Sequence, residues 1–339
     1  MSIHFSLSHA KSLTVGIDLG LDAAKVICLK ATKSGYELKA HALLKRDQLG
    51  ALKEFLHHSS LRQAHVRLAI QVPQLKVQKV TVPIVPREEL GQVVTWAFKE
   101  ATSLPIDEYI VRYYQMGAES QGDNKQTYTA FAIEKTFFEK WREFIGKAGI
   151  IHPKMAEPDI QSLANTAIHN YGNKEGYRFA VIDIGKAQSQ MAVVSQNGIE
   201  FFRPFSGIGG DQLASGLGVE LGISTEDAER RLLDIAHDVP CEKQDEIQDF
   251  INGYCAKFCV QAQYAIEQYA STSKESPITN ILLAGGGAKL KGLREQIQET
   301  LHFPTDLINP FARIDLGRFA GRNFDSSKTI YAIATGLAL

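Results

Sequence analysis

Apolar and polar positions along the chain switch between a two-residue and a 3.6-residue period. From Val15 to Lys30, VGIDLGLDAAKVICLK, an apolar run breaks at Asp18-Leu19-Gly20 and resumes. This predicts a strand, a tight turn and a second strand. A Lys33-Ser34-Gly35 turn and a third strand, Tyr36 to Leu44, follow, and Leu49 to His57 reads as a short helix. Halfway along, Val181 to Ser195, VIDIGKAQSQMAVVS, repeats the figure. Asp183 and Gly185 stand where the first copy has Asp18 and Gly20. An apolar strand resumes at the same distance, and a second glycine turn closes at Gln196-Asn197-Gly198. A hairpin repeated half a chain apart predicts a repeated domain.

Between the copies the texture changes. Val66 to Ile70 and Val77 to Val82 read as strands. A helix then starts at Pro86-Arg87-Glu88-Glu89, with acids in its first turn. Its apolar residues Leu90, Val93, Val94, Ala97, Phe98 and Ala101 keep helical spacing until Ser103-Leu104-Pro105 ends it. Strands over Tyr109–Met116 and Tyr128–Ile133 and a helix from Lys135 to Ala148, closed by Gly149, complete an inserted α+β unit over 61–148. Such a unit offers a sheet edge beside an apolar helix, a usual place to dock a peptide.

After the insert, a helix opens at Glu157-Pro158-Asp159 and leads to the second hairpin. Beyond that hairpin, Gly207-Ile208-Gly209-Gly210-Asp211 opens another helix. Its first N–H groups suit an anion, unless this is a plain loop-to-helix turn. Ser224 caps a helix running to about His237. The long helix Gln244–Ser271 carries a stripe from Ile247 to Tyr269 that reads as core rather than as a partner surface. Asn280 to Ala288 is an apolar strand running into Gly285, Gly286 and Gly287, followed by a helix through Leu290, Leu293, Ile297 and Leu301.

Composition narrows the function classes. A chain of 339 residues holds two domains or more, and 44% hydrophobic with 22% charged residues is ordinary globular content. A formal net charge of −1 gives no electrostatic footprint for nucleic acid. No apolar run reaches the roughly 20 residues of a membrane span. Residues 1–12 read as a loose tail without signal-peptide features, so the expected compartment is the cytoplasm. The four cysteines (Cys28, Cys241, Cys255, Cys259) include no CxxC. Cys255 and Cys259, four apart on a helix, read as small core residues before they read as a thiol or metal pair. His57 and His58, adjacent on a helix, face different ways and make no metal pair.

The chemistry that the repeated turns suggest is phosphate binding. In an Asp-x-Gly turn the glycine is expected to take backbone angles closed to other residues. Outward N–H groups can then cradle an anion. Asp18 and Asp183 could each orient a hydrated Mg²⁺ through its waters. Two such hairpins facing each other would clamp a triphosphate, and the strand-GGG-helix stretch lets backbone approach a flat ligand.

With these three stretches the chain resembles the actin, sugar-kinase and heat-shock-chaperone superfamily, α/β proteins with two ribonuclease-H-like halves around an ATP cleft. Thr81-Val82-Pro83, the amphipathic helix after it, Ala148-Gly149-Ile150, the Ala156–Ala167 helix start, the Phe205–Asp211 turn and the terminal Ala334-Thr335-Gly336-Leu337-Ala338-Leu339 extend the likeness to the PilM family of type IV pilus assembly. The resemblance covers about 13–339. It implies a first half of 13–60 and 149–178, an SHS2-like partner-binding insert of 61–148, and a second half of 179–339 with a helical subdomain at about 211–275. It also implies ATP with Mg²⁺ as cofactor, at most weak ATPase activity, and a partner: the cytoplasmic N-terminal tail of a PilN-like membrane protein. Through that partner the protein would join the inner-membrane pilus platform, near the motor ATPases, and self-association is left open.

Carried over residue by residue, the first phosphate turn is Asp18, Gly20 and Lys25. The second is Asp183, Gly185 and Ser189, with Gly209 and Gly210 nearby. Gly285, Gly286 and Gly287 form the adenosine turn, and Glu229 stands where relatives place an acid near the ribose. Val80, Val82, Leu90, Val93 and Val94 are the expected partner groove. Leu21 and Asp22 stand where relatives carry a Ser or Thr that can meet phosphate, and Arg230 and Arg231 stand near the usual lysine. An FtsA-like filament former and a small-molecule kinase are the alternatives. FtsA ends in an amphipathic membrane helix, whereas this chain is expected to end inside a core helix. A kinase needs a base for its substrate hydroxyl, and no residue is nominated for that role.

Overall fold

The computed structural model describes residues 13–45, 49–57, 64–73, 75–116, 124–147, 153–172, 176–273, 277–320 and 325–339. The expected tail, His58 and Ala148-Gly149-Ile150 lie outside the described residues. The chain begins with β1 (Leu13–Leu19), β2 (Ala23–Thr32), β3 (Gly35–Lys45), α1 (Leu49–His57) and β4 (His65–Ile70). It continues with β5 (Lys76–Pro83), α2 (Arg87–Thr102), β6 (Tyr109–Gln115), β7 (Lys125–Glu134), α3 (Lys135–Lys147), β8 (Met155–Pro158) and α4 (Asp159–Tyr171). The later part is β9 (Arg178–Ile184), β10 (Ser189–Ser195), β11 (Gly198–Phe205), α5 (Gly210–Leu221), α6 (Thr225–Ala236) and α7 (Gln244–Thr272). Last come β12 (Asn280–Ala284), α8 (Leu293–Leu301), β13 (Thr305–Leu307), β14 (Ile314–Asp315) and α9 (Ala332–Ala338).

The repeat is explicit in strand order. One sheet runs β14-β3-β2-β1-β4-β8 and another β11-β10-β9-β12-β13. With β14 set aside, each has three antiparallel strands joined by hairpins, then two parallel strands. The parallel strands β4 and β12 pair with β1 and β9, the strands that end in Asp-x-Gly. Both turns therefore emerge at the carboxyl ends of parallel strands, where α/β sheets bind ligands.

Helices α4 and α9 fill the space between these sheets. Ile160, Leu163, Ala164 and Ala167 of α4 share one core with Ala69 and Ile70 of the first sheet and with Val181, Ala192 and Val194 of the second. Ala334 and Ala338 of α9 pack on Ile27 and Leu29. The approach is close enough to need glycine: a Cβ at Gly336 would overlap Ser162 O, and one at Gly16 would overlap Ala334 O. The terminal Ala-Thr-Gly-Leu-Ala-Leu run is thus a packing sequence.

Three boundaries differ from the sequence reading. Strand β4 pairs in parallel with β1, and Ile145 of α3 lies in the same core as Val15 and Leu68. The insert is therefore the β5-β7-β6 sheet with α2, narrower than 61–148. The second half does not run to Leu339 as a structural layer, because β14 pairs with β3 and α9 packs on the first sheet. The helix expected straight after the three glycines begins only at Leu293, behind a 3-10 turn over Gly287–Lys289. The long-helix stripe is core as expected. Ile247, Ile251, Phe258, Ala262 and Tyr269 are buried with Cys255 and Cys259, and burial pushes the Cys255 thiol up to about 12.

Candidate functional site

The two hairpin turns close by the same backbone bond. Gly20 N–H donates to Ala23 O (3.1 Å), and Gly185 N–H donates to Gln188 O (3.0 Å). Neither glycine takes a positive φ, so the expected reason for glycine is corrected. Space excludes a side chain at Gly185, where a Cβ would lie 2.7 Å from Gln188 O; at Gly20 it would displace the end of Lys25, with Ala23 O 3.3 Å away. Since both glycine N–H groups close their turns, they are spent and do not face an anion.

The turns face each other across a cleft of about 410 Å³, lined by Asp18, Gly20 and Lys25 from the first half and Asp183 and Gly185 from the second. Gly285 and Gly286 line the same cleft. Gly285 has φ +83°, and a Cβ there would lie 2.5 Å from Ile184 O and 2.6 Å from Asp183 Oδ1, whereas nothing lies within 4 Å of a Cβ at Gly286. Gly285 is thus required by both conformation and space, and Gly286 opens room for a ligand. Thr329 Oγ1 donates to Gly285 O (3.0 Å) and fixes this loop to the chain before α9.

The floor of the cleft is acidic. Asp18 pairs with Lys25 Nζ at 3.2 Å and accepts Gln71 Nε2 at 3.2 Å. Burial opposes the charge on Lys25, but the carboxylates of Asp18, Asp183 and Asp22 outweigh it and raise its pKa. Burial, reinforced by Asp18, pushes the Asp183 carboxyl up to about 6. Asp159, at the start of α4, is buried and held well above the carboxylate range by burial and by Asp183 and Asp18. It accepts Gln190 Nε2 (2.9 Å) and Ile160 N–H (2.8 Å). A polyphosphate entering this floor alone is repelled, and a divalent cation removes that repulsion. Among the described residues no group of three His, Cys, Asp or Glu side chains is placed to ligate a metal directly.

Other expected site residues lie elsewhere. Ser189 is fully buried in β10, opposite Ile184 and Phe205, its Oγ has no partner, and it does not line the cleft. The strand resumes immediately after the turn, and its alternation sends this hydroxyl inward. The first N–H groups of α5 are already used. Gly210 N–H donates to Gly185 O (3.1 Å) and Asp211 N–H to Lys186 O (2.9 Å), so the start of α5 is stitched to the second turn. A Cβ at Gly209 would lie 2.7 Å from Lys186 O. Gly287 packs on Ile184 behind the cleft. Glu229 points at the second turn, where its Oε1 meets Lys186 Nζ at 2.7 Å.

The expected partner groove also changes. Val80, Val82 and Val94 are buried in the insert's own core with Phe98 and Tyr128, and Leu90 and Val93 pack against that core half-buried. Helix α2 lays its apolar stripe on the β5-β7-β6 sheet, which leaves Val80, Val82 and Val94 no free face and Leu90 and Val93 only part of one. The sequence reading missed Gln71, Asp159, Gln190, Lys186 and Thr329. Asp159 carried a local signal, since it opens the helix noted at Glu157-Pro158-Asp159, and so did Lys186, which follows Gly185 in the second turn. Gln71 and Thr329 reach the cleft through loop return, and Gln190 meets Asp159 through sheet register.

The chain was compared with known families and solved structures. It matches the family described as type IV pilus assembly protein PilM over residues 16–339. A chain of the solved PilM-PilN type IV pilus biogenesis complex is 18% identical, with a TM-score of 0.80 over 96% of this chain and 97% of that one. The ethanolamine utilization protein EutJ from Carboxydothermus hydrogenoformans is 16% identical, with a TM-score of 0.54 over 99% and 92%. The diol dehydratase-reactivating factor in nucleotide-free form is 10% identical, with a TM-score of 0.53 over 96% and 98%. At these identities the likenesses establish the fold, the actin-like ATPase fold that the resemblance implied. The match over residues 16–339 establishes more: this chain belongs to the PilM family of type IV pilus assembly proteins.

Proposed function

We propose that the protein is a nucleotide-binding adaptor of type IV pilus assembly, which docks the cytoplasmic N-terminal tail of a PilN-like inner-membrane protein. The observation that carries the reading is the meeting of two Asp-x-Gly turns and the Gly285–Gly286 loop at one cleft, in a chain of the PilM family. In this reading Asp18, Gly20 and Lys25 face Asp183 and Gly185 across the phosphates. Gly285 and Gly286 receive the nucleoside. Asp18 and Asp183 orient Mg²⁺ through its waters, and the ion supplies charge neutralisation. The cleft volume falls within the roughly 300–1,000 Å³ of small-molecule sites. The residues fit the pair of groups, because an acidic floor with an open glycine rim takes a polyphosphate once a cation is present.

The tail, in this proposal, lies where the insert meets the first half. Among the described residues strand β6 pairs with β7 alone, and Tyr114 of β6 donates its hydroxyl to Glu157 of β8 at 3.1 Å. Phe138 and Trp141 of α3 pack on the same core as Tyr114, and Phe144 further along α3 is exposed. An edge strand suits strand addition by an extended peptide. Among the described residues no helix is long and apolar enough to cross a membrane. Membrane attachment in this reading passes through the partner, cytoplasmic and beside the pilus platform and its motor ATPases. A labelled N-terminal peptide of the PilN-like protein should bind the wild-type chain and lose affinity with Phe144→Glu. Absence of binding from folded wild-type protein, with and without Mg-ATP, would refute the adaptor reading.

A further inference from the structure

The side chain of Lys186 reaches from the second turn to the first. Its Nζ lies 2.8 Å from Asp22 Oδ1, 2.7 Å from Glu229 Oε1 and 3.7 Å from Asp211 Oδ1. Three carboxylates from three elements, the first turn, α5 and α6, share one ammonium at the cleft wall. The backbone of Lys186 is fixed, because its carbonyl accepts Asp211 N–H and the start of α5 packs against its Cα. The side chain is therefore the movable part. Lys186 and Asp22 both line the cleft between the turns.

The strength of these pairs decides what they can do. The Asp22 side chain is 64% exposed, so its bond to Lys186 is screened by water and of small net strength. A phosphate brings more charge and more acceptor oxygens than one carboxylate, and charge-assisted bonds to it are the stronger kind. Asp22 itself stands between the turns, where it repels a polyphosphate unless its charge is offset. Lys186 provides that offset in the structure as it stands.

We propose that Lys186 is a phosphate-binding residue of the cleft and that Asp22 is its stand-in anion, displaced when the terminal phosphates of a nucleotide arrive. The proposal rests on the nucleotide reading of the cleft. It assigns opposite effects to two residues that touch each other. Removal of Asp22 leaves Lys186 with Glu229 and Asp211 alone and takes away a repelling charge at the cleft, so affinity rises. Removal of Lys186 leaves Asp22, Asp211 and Glu229 without their shared cation, so affinity falls. A purely structural tie across the cleft would make both removals act in the same direction.

The test is titration calorimetry of Mg-ATP, Mg-ADP and adenosine into wild type, Asp22→Asn, Lys186→Met and the double variant, with melting curves as the folding control. Asp22→Asn is expected to tighten Mg-ATP about 3- to 10-fold and Lys186→Met to weaken it about 30-fold or more, as single charge changes beside a phosphate do. The double variant falls between them, effects on Mg-ADP are smaller, and adenosine is unaffected. Amide exchange of the nucleotide-free proteins supplies an independent readout, with faster exchange around both turns in Asp22→Asn. Wild-type binding with Asp22→Asn unchanged or weaker, or with Lys186→Met unchanged, would overturn this inference and leave the cleft reading standing. Absence of Mg-ATP binding from wild type and all variants would overturn both.

Discussion

Opposite Asp18 on the neighbouring strand stands Lys25; opposite Asp183, in the same register, stands Gln190. The two turns are otherwise close copies. Each follows a strand flanked by an antiparallel and a parallel neighbour, and each closes through a glycine N–H onto the carbonyl three residues on. The backbone was kept and the charges were divided. In the first turn the carboxylate has its own cation. In the second it has an amide, and its carboxyl is pushed up to about 6, mainly by burial. The second turn carries Lys186 in return, and that lysine pairs with Asp22 of the first. Charge is therefore paired within the first turn and, through Lys186 and Asp22, across the cleft as well.

The comparison breaks first at Asp183. Asp183→Asn removes the second turn's carboxylate, and Mg-ATP affinity should fall at least about hundredfold by calorimetry, as for loss of a buried charged partner. The same change should raise the melting temperature of the nucleotide-free protein by roughly a few degrees at pH 7.5. The sign follows from linkage. The folded pKa of Asp183 lies above its ordinary value, so ionisation costs stability at pH above about 6. That cost is relieved as pH falls toward the ordinary range near 4. The gain from Asn should shrink over the same interval.

The glycine loop gives the next contrast. Gly285→Ala must place a side chain at φ +83° against Asp183 and Ile184, and should cost roughly 2–4 kcal/mol in denaturant unfolding. Gly286→Ala, with open space around it, should stay within about 0.5 kcal/mol and report on ligand fit alone.

A third experiment sharpens the charge comparison. Wild-type affinity for Mg-ATP should fall about tenfold from pH 7 to pH 5 as Asp183 takes up its proton. Gln190→Lys, which gives the second turn the cation of the first, should remove most of that pH dependence. A modest effect lies at the insert's joint: Tyr114→Phe deletes the bond to Glu157 and should cost about 1 kcal/mol in unfolding.

What could be read from sequence follows the range of the forces involved. Both hairpins, α2, α5, α6, α7 and the glycine loop announce themselves by local periodicity and turn residues. Strands β8, β13 and β14 are four, three and two residues long, too short for a period to show. They exist because parallel neighbours complete them. Asp18, Gly20, Asp183 and Gly185 were legible because a repeated motif carried them, and Lys25 because the family resemblance did. Gln71 and Gln190 were not, since each enters the site through sheet register with a strand distant in sequence or across the hairpin. The valines of the insert show the converse error. An amphipathic stripe on α2 signals that something apolar covers it, and here the cover is the insert's own sheet. Nothing local distinguishes that from a partner.

The most direct test of the account is titration of Mg-ATP into the wild-type chain, Asp18→Asn and Asp183→Asn at pH 7.5, with and without Mg²⁺. One saturable site is expected in wild type, requiring Mg²⁺ and lost in both variants while their folding transitions stay cooperative. Undiminished binding in either variant, or none in folded wild type, would contradict the claim that the two turns form one nucleotide site.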